Sequence, residues 1–363
     1  MSELTSAISV SQVAPHRAKS GYIISPVSDI LFIIGAPLLA VLISLPLFAI
    51  PKSACMWTVL GQSRDIRHLF LLVFSEAHLV LVFFRSHGNE KIFRTYPLQF
   101  TLVPIVLLVS MTYSPYVFGI VGIVGVWWDV YHSSLQTFGF GRIYDAKQKN
   151  SPTAGRRLDY WMNLLLYTGP VLAGTNFVEH MNFTRAKLSI FEVDDSSFGE
   201  LLYRSGPEFL ILHQNYLTLS IIGIGIPFLV YYLYSYYRLQ QQGYHVSWQK
   251  VCLYLITGSV SVYGWGFHSF FNAYWVMNFF HAVQYFAIVI STEKQNLSRL
   301  FRVDRFPYGA VIAGFWVVVL CFLYGWWGQY QATGTWMASL FVTTSIMHFW
   351  YDGFIWSVKK QQV

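Results

Sequence analysis

The sequence predicts an all-α fold: a polytopic integral membrane bundle of about ten transmembrane helices, with both termini cytoplasmic. Three observations carry that expectation. The 363 residues are 55% hydrophobic and only 11% charged, against roughly a quarter charged in soluble domains, and the mean hydropathy is +0.44. Ten apolar segments are present, and most approach the roughly 20 residues needed to cross a bilayer, the seventh being the weakest. If all ten span from a cytoplasmic N-terminus, 18 of the 24 basic residues fall on the inner side and six on the outer, as the positive-inside rule requires.

Taken in order, the apolar segments cover about 29–50, 66–84, 97–113, 116–140, 159–176, 211–236, 251–266, 268–291, 308–327 and 335–356. The first 28 residues are polar and read as a cytoplasmic N-terminal segment. Residues 29–357 read as a single transmembrane helical domain. Ser114-Pro115 separates the third and fourth segments, because proline cannot continue a helix. The loop 177–210 holds six acids against three bases, which suits an outer loop, and a short amphipathic helix is expected near 197–204. Tyr231, Tyr232, Trp326, Trp327 and Trp356 sit at segment ends, as interfacial belts do. The expected location is a bacterial inner (plasma) membrane, crossed many times.

Other classes are disfavoured. The net charge of +7 is distributed by membrane side, so it does not indicate nucleic-acid binding. Cys55, Cys252 and Cys321 are scattered and form no CxxC pair, which argues against a disulfide framework or zinc ribbon. Gly139-Phe140-Gly141-Arg142 lacks the spacing of a phosphate-binding loop. It reads as a helix exit with Arg142 among the headgroups. Gly119, Gly122 and Gly125 read as a site of close helix packing.

The informative residues are polar ones inside apolar segments. In the fourth segment Asp129, His132 and Gln136 fall at i, i+3 and i+7 and share one helical face. Such groups are costly in lipid and mark function. His78, His281 and His348 occupy the second, eighth and tenth segments. All four histidine-bearing segments are even-numbered and run from outside to inside. The first basic residue beyond each histidine follows by 7, 10, 13 and 11 residues in chain order. At 1.5 Å per residue, each imidazole lies roughly 10–20 Å from the inner end of its helix. Four imidazoles at one depth converge if their helices are neighbours.

Each histidine has polar company. Asn278, Gln284 and Tyr285 surround His281, Asp352 follows His348 by one turn, and Asp129 precedes His132. Glu76 and His78 point in different directions, and His78 is taken as the inward one. His78, His132, His281, His348 and Asp352 are therefore the expected metal ligands. Asp129 is expected to orient a ligand or serve as one, and Gln136, Asn278, Gln284 and Tyr285 to position water or substrate. Mixed imidazole and carboxylate ligation points to iron, with zinc or copper as other candidates.

Integral-membrane desaturases and hydroxylases carry HxxxH and HxxHH boxes, which are absent here. Single histidines on separate helices resemble, in architecture, the membrane carotenoid-cleaving oxygenases. The expected function is a metal-dependent, non-haem-iron oxidoreductase acting on a lipophilic substrate through an intramembrane histidine cluster. Its expected partners are membrane lipids, that lipophilic small molecule and an electron-donor protein, with no nucleic acid. A b-type haem electron carrier and a proton-coupled transporter are the alternatives.

Overall fold

The computed structural model describes residues 21–59, 62–188, 206–331 and 335–356. Among these residues the chain forms fourteen helices and one short hairpin. Helix α1 (Pro26–Ile34) and α2 (Ala36–Ala49) meet at a bend of 52°. Helices α3 (Ile66–Ser86), α4 (Glu90–Thr95), α5 (Pro97–Tyr113), α6 (Pro115–Lys147) and α7 (Arg156–Ala173) follow. Next come α8 (Phe177–Leu188), α9 (Gly206–Leu212), α10 (Gln214–Gln241) and α11 (Trp248–Phe267). The last three are α12 (Phe270–Leu300), α13 (Gly309–Gln331) and α14 (Thr335–Ile355). Each of the ten apolar segments thus becomes helical, the first in two pieces. The helix expected near 197–204 lies outside the described residues.

Local sequence explains most boundaries. Ser114 Oγ accepts from Val117 N and Pro115 opens α6, so the predicted break between α5 and α6 is a capped helix start. Asp65, Asn89, Ser247 and Ser269 cap α3, α4, α11 and α12 in the same way. The α1–α2 bend was not foreseen. Residues 29–34 form a π-helical turn in which Gly35 N bonds Ile30 O. A Cβ on Gly35 would sit 2.5 Å from that carbonyl, so the turn depends on glycine. The hairpin was not foreseen either: Met56–Val59 pairs antiparallel with Gln62–Asp65 and leads the chain into α3.

Four helices, α3, α10, α12 and the Gly309–Gly328 part of α13, are long and apolar enough to cross a membrane. The bent α1–α2 pair would make a fifth. Their burial differs widely. In its most apolar window α12 is 72% buried, whereas α10 is 6% buried. Leu219, Ile222, Ile224, Ile226 and Val230 on α10 are exposed. An apolar helix with so little protein cover needs an apolar solvent. Helices α6, α11 and α14 are of spanning length but less apolar, and α6 and α14 carry polar residues of the candidate site.

Helix α12 is the axis of the bundle and packs on α2, α3, α11 and α13. Helices α3, α12, α6 and α14 also form a closed ring in which each packs against the next. The buried apolar side chains fall into two clusters. One includes Leu71, Val130, Phe279 and Phe280; the other includes Leu79, Phe140, Tyr285 and Met347. On α3, α6 and α12 the histidine lies between residues of the two clusters, so the polar layer sits at their boundary. The glycine stripe of α6 packs less than expected. A Cβ on Gly122 would meet nothing within 4 Å, and on Gly125 only Ile346 at 3.5 Å.

Candidate metal centre

The ring of α3, α12, α6 and α14 brings one histidine from each helix to a common centre. Ring centroids of His78 lie 5.1 Å from those of both His281 and His348. Those of His132 lie 5.0 Å from His281 and 4.9 Å from His348. His281 and His348 face each other at 6.1 Å. All four side chains are buried, none more than 3% exposed.

Most of the ring nitrogens are unpartnered among the described residues. Both nitrogens of His78, His281 and His348, and Nε2 of His132, have no partner among the described residues. The Phe74 and Ser75 carbonyls approach His78, and the Leu79 carbonyl approaches His348, without completing a bond. One nitrogen each from His78, His281 and His348 fall within 4.8 Å of one another. His132, His348 and Asp352 form a second such trio that shares His348.

Asp352 comes from α14, one turn beyond His348. Its Oδ2 lies 3.6 Å from His132 Nε2 and 3.8 Å from His348 Nε2. Its Oδ1 accepts from Tyr285 Oη at 2.8 Å and from Trp356 Nε1 at 2.9 Å. Two donors therefore fix the carboxylate while its other oxygen faces two imidazoles. The sequence pairs His132 with Asp129, its neighbour one turn away on α6. In the fold the carboxylate facing His132 is Asp352, from another helix, because tertiary packing decides which side chains meet across the layer.

The remaining singled-out residues form polar layers one turn before and one turn after the histidines. On one side Asp129 Oδ2 accepts from Asn278 Nδ2 at 3.0 Å, and Asn278 Oδ1 accepts from Ser75 Oγ at 3.3 Å. This triad ties α6, α12 and α3 together. On the other side Gln136 Nε2 donates to the His281 carbonyl at 3.1 Å and to Gln284 Oε1 at 2.9 Å. Gln284 Nε2 donates to Ile33 O at 2.7 Å, inside the α1 π-turn. Gln284 thereby satisfies a carbonyl at the helix break, as lipid-buried backbone requires. Asp129, His132 and Gln136 do share one face, and all three turn it toward α12. Glu76 points away from the histidines, and its Oε2 has no partner among the described residues.

The other described histidines lie apart from the cluster. His87 Nε2, His180 Nε2 and His213 Nδ1 pair with the carbonyls of Phe100, His268 and Phe209. His68 packs on Phe271. His180, within the 177–210 stretch read as an outer loop, is fully buried against Trp265 and Phe270.

Two buried ion networks escaped sequence reading. Arg85 pairs with Glu293, both 2% exposed, and its guanidinium lies 3.7 Å over the Trp356 ring. Beyond that pair Glu293 Oε2 accepts from Asn89 and Asn296. Arg142 and Lys250 each contact both Asp145 and Asp159 at 2.7–2.8 Å. Tyr236 Oη donates to Asp159 Oδ1 at 2.6 Å. Arg142 is thus buried in a balanced cluster of two cations and two carboxylates instead of lying among headgroups. A Cβ on Gly141 would lie 2.2 Å from Tyr254 Oη, so glycine allows this approach. The one sequence signal for these networks was acidic residues placed beside bases at helix ends.

Comparison with protein-family models, with curated proteins and with solved structures gives no match, so the site's own chemistry carries the functional reading.

Proposed function

We propose that the four imidazoles and Asp352 hold a transition-metal ion. On this reading the protein is a membrane-embedded, metal-dependent oxidoreductase for a lipophilic substrate. The observation that carries it is the set of seven buried imidazole nitrogens without a hydrogen-bond partner among the described residues. An unsatisfied buried polar group costs about 1–3 kcal/mol, and the nearest acceptor to His132 and His348, Asp352 Oδ2, stays 3.6 and 3.8 Å away. A cation bound by several lone pairs offsets that cost. Three nitrogens spaced evenly around one ion with bonds of about 2.1 Å are about 3.6 Å apart, so a trio within 4.8 Å reaches one ion by closing about an ångström.

Imidazole and carboxylate together favour non-haem iron. The ion supplies redox chemistry; the chain supplies ligands, their orientation and exclusion of water. Asp352, held by Tyr285 and Trp356, orients His132 and His348 and balances one positive charge. Asn278 and Gln284 fix the height of α12 and with it His281. His281 and His348 lie 6.1 Å apart, but the rings of His78 and His132 lie 4.9–5.1 Å from both and take the space a porphyrin between them would need, which favours a bare ion over b-type haem. The hydrogen-bonded layers on either side of the histidines likewise favour a metal site over a transport path.

The same reading places the protein in a bacterial inner membrane with ten spans and both termini cytoplasmic. The substrate then enters from the bilayer, and an electron-donor protein docks on the cytoplasmic side. Metal analysis of protein purified from membranes tests the core claim. The expected result is about one iron per chain, no Soret band, and loss of the iron in the H78A/H281A/H348A variant. Absence of stoichiometric metal, or iron retained without those histidines, would overturn it.

A further inference from the structure

A second site lies away from the histidines, where α7 begins and α10 ends. A cleft of about 670 Å³ opens between these helices. Its lining includes Arg156 and Arg157 from α7, Arg238, Tyr231 and Tyr234 from α10, and Gly155 at the α7 N-cap. None of the three arginines pairs with a carboxylate among the described residues; Arg156 only approaches the Phe138 ring, at 6.0 Å. Three exposed guanidiniums gathered around one concavity repel each other, and an anion seated among them relieves that repulsion. Gly155 has no side chain to cap α7, and of the amides outside that 18-residue helix's own ladder only the first, Arg156 N, is taken among the described residues, by the Thr153 carbonyl at 3.3 Å. Tyr231 and Tyr234 are 58% and 57% exposed on the helix with least protein cover. They place the cleft at an interfacial tyrosine belt, where acyl chains and headgroups meet.

We infer that this cleft binds the phosphate headgroup of an anionic phospholipid, with the acyl chains lying along α10. Arginine suits this role because its planar fork matches two phosphate oxygens at once. The occupant is a lipid because the cleft continues onto an apolar, exposed helix that a free anion leaves uncovered. The site also touches the core of the fold. Gly155 adopts φ +67°, and a Cβ there would lie 2.4 Å from Tyr236 Oη. Tyr236 in turn bonds Asp159 and Lys250. A lipid seated on Gly155 and Arg156 therefore braces the start of α7 over the buried Arg142–Lys250 network.

Titration of the purified protein in neutral-lipid nanodiscs with phosphatidylglycerol, read by native mass spectrometry and by melting temperature, tests the inference. At about fivefold in affinity per cation, R156Q/R157Q/R238Q should lose phosphatidylglycerol binding by on the order of 100-fold. The variant should keep its melting temperature in phosphatidylcholine alone. K294Q/R299Q/R305Q removes the same charge from exposed positions on and beyond α12 and should bind like the parent. Equal loss in both triple variants would overturn the site. So would parent protein that gains no stability from phosphatidylglycerol. Inorganic phosphate that displaces the lipid at millimolar concentration would overturn the lipid assignment. Because metal content is not measured, failure here leaves the histidine site untouched.

Discussion

Asp352 is the sharpest point at which to perturb the proposed centre. Asp352→Asn keeps the shape of the side chain. Its amide oxygen can still accept from Tyr285 and Trp356, which now contact Oδ1 at 2.8 and 2.9 Å. Its NH₂ then replaces Oδ2, which lies 3.6 and 3.8 Å from the Nε2 atoms of His132 and His348. There it donates toward the imidazole lone pairs that an ion needs, and one balancing negative charge is lost. Loss of an orienting carboxylate typically weakens metal binding 10–100-fold, about 1.4–2.7 kcal/mol. The metal-free protein should be almost unaffected, because no donor loses its acceptor. Asp352→Ala differs: Tyr285 Oη, on a residue 1% exposed, is left without an acceptor, which should destabilise even the metal-free protein by about 1–3 kcal/mol. Chelator competition gives the Kd, and melting of metal-free protein in micelles gives stability. Asparagine binding metal within twofold of the parent, or destabilising the metal-free form as much as alanine, would refute the assignment.

Glu293→Gln should cost about 3–5 kcal/mol of stability by leaving Arg85 charged and unbalanced in the interior. The double variant R85M/E293L should cost less, so equal midpoints in detergent melts of the two would contradict the account. Gly141→Ala should destabilise by about 1–3 kcal/mol, since its Cβ would lie 2.2 Å from Tyr254 Oη; Y254F should recover part of that loss, and an unchanged melting temperature for G141A would refute the close packing. The ten-span topology is checked by impermeant thiol labelling of single cysteines in spheroplasts, in a background lacking Cys55, Cys252 and Cys321. Glu208→Cys should label from outside and Glu90→Cys only after permeabilisation; the reverse pattern would invert the topology.

Much of the fold was legible because lipid-facing helices have few rules. Apolar length predicts helix, and proline or a capping side chain predicts its end, so each of the ten segments is helical. The break at Gly35 was not legible, since a π-turn needs a distant amide, Gln284, to satisfy the Ile33 carbonyl. The hairpin after α2 was missed because its strands are only four residues long. At the site, parity and depth along the chain were enough to select His78, His132, His281 and His348 from eleven histidines. They could not say that Asp352, and not Asp129, faces His132.

The sequence by itself determined the helices, the polar face of α6 and the shared depth of four imidazoles. These follow from local periodicity and from the number of residues between each histidine and its helix end. Only the tertiary structure decided that α3, α12, α6 and α14 close into a ring. It alone also buried Arg142 and Lys250, which the chain order presents as surface charges. Both depend on contacts between residues far apart in the chain, where side-chain shape and charge pairing choose the partner and sequence spacing carries no information.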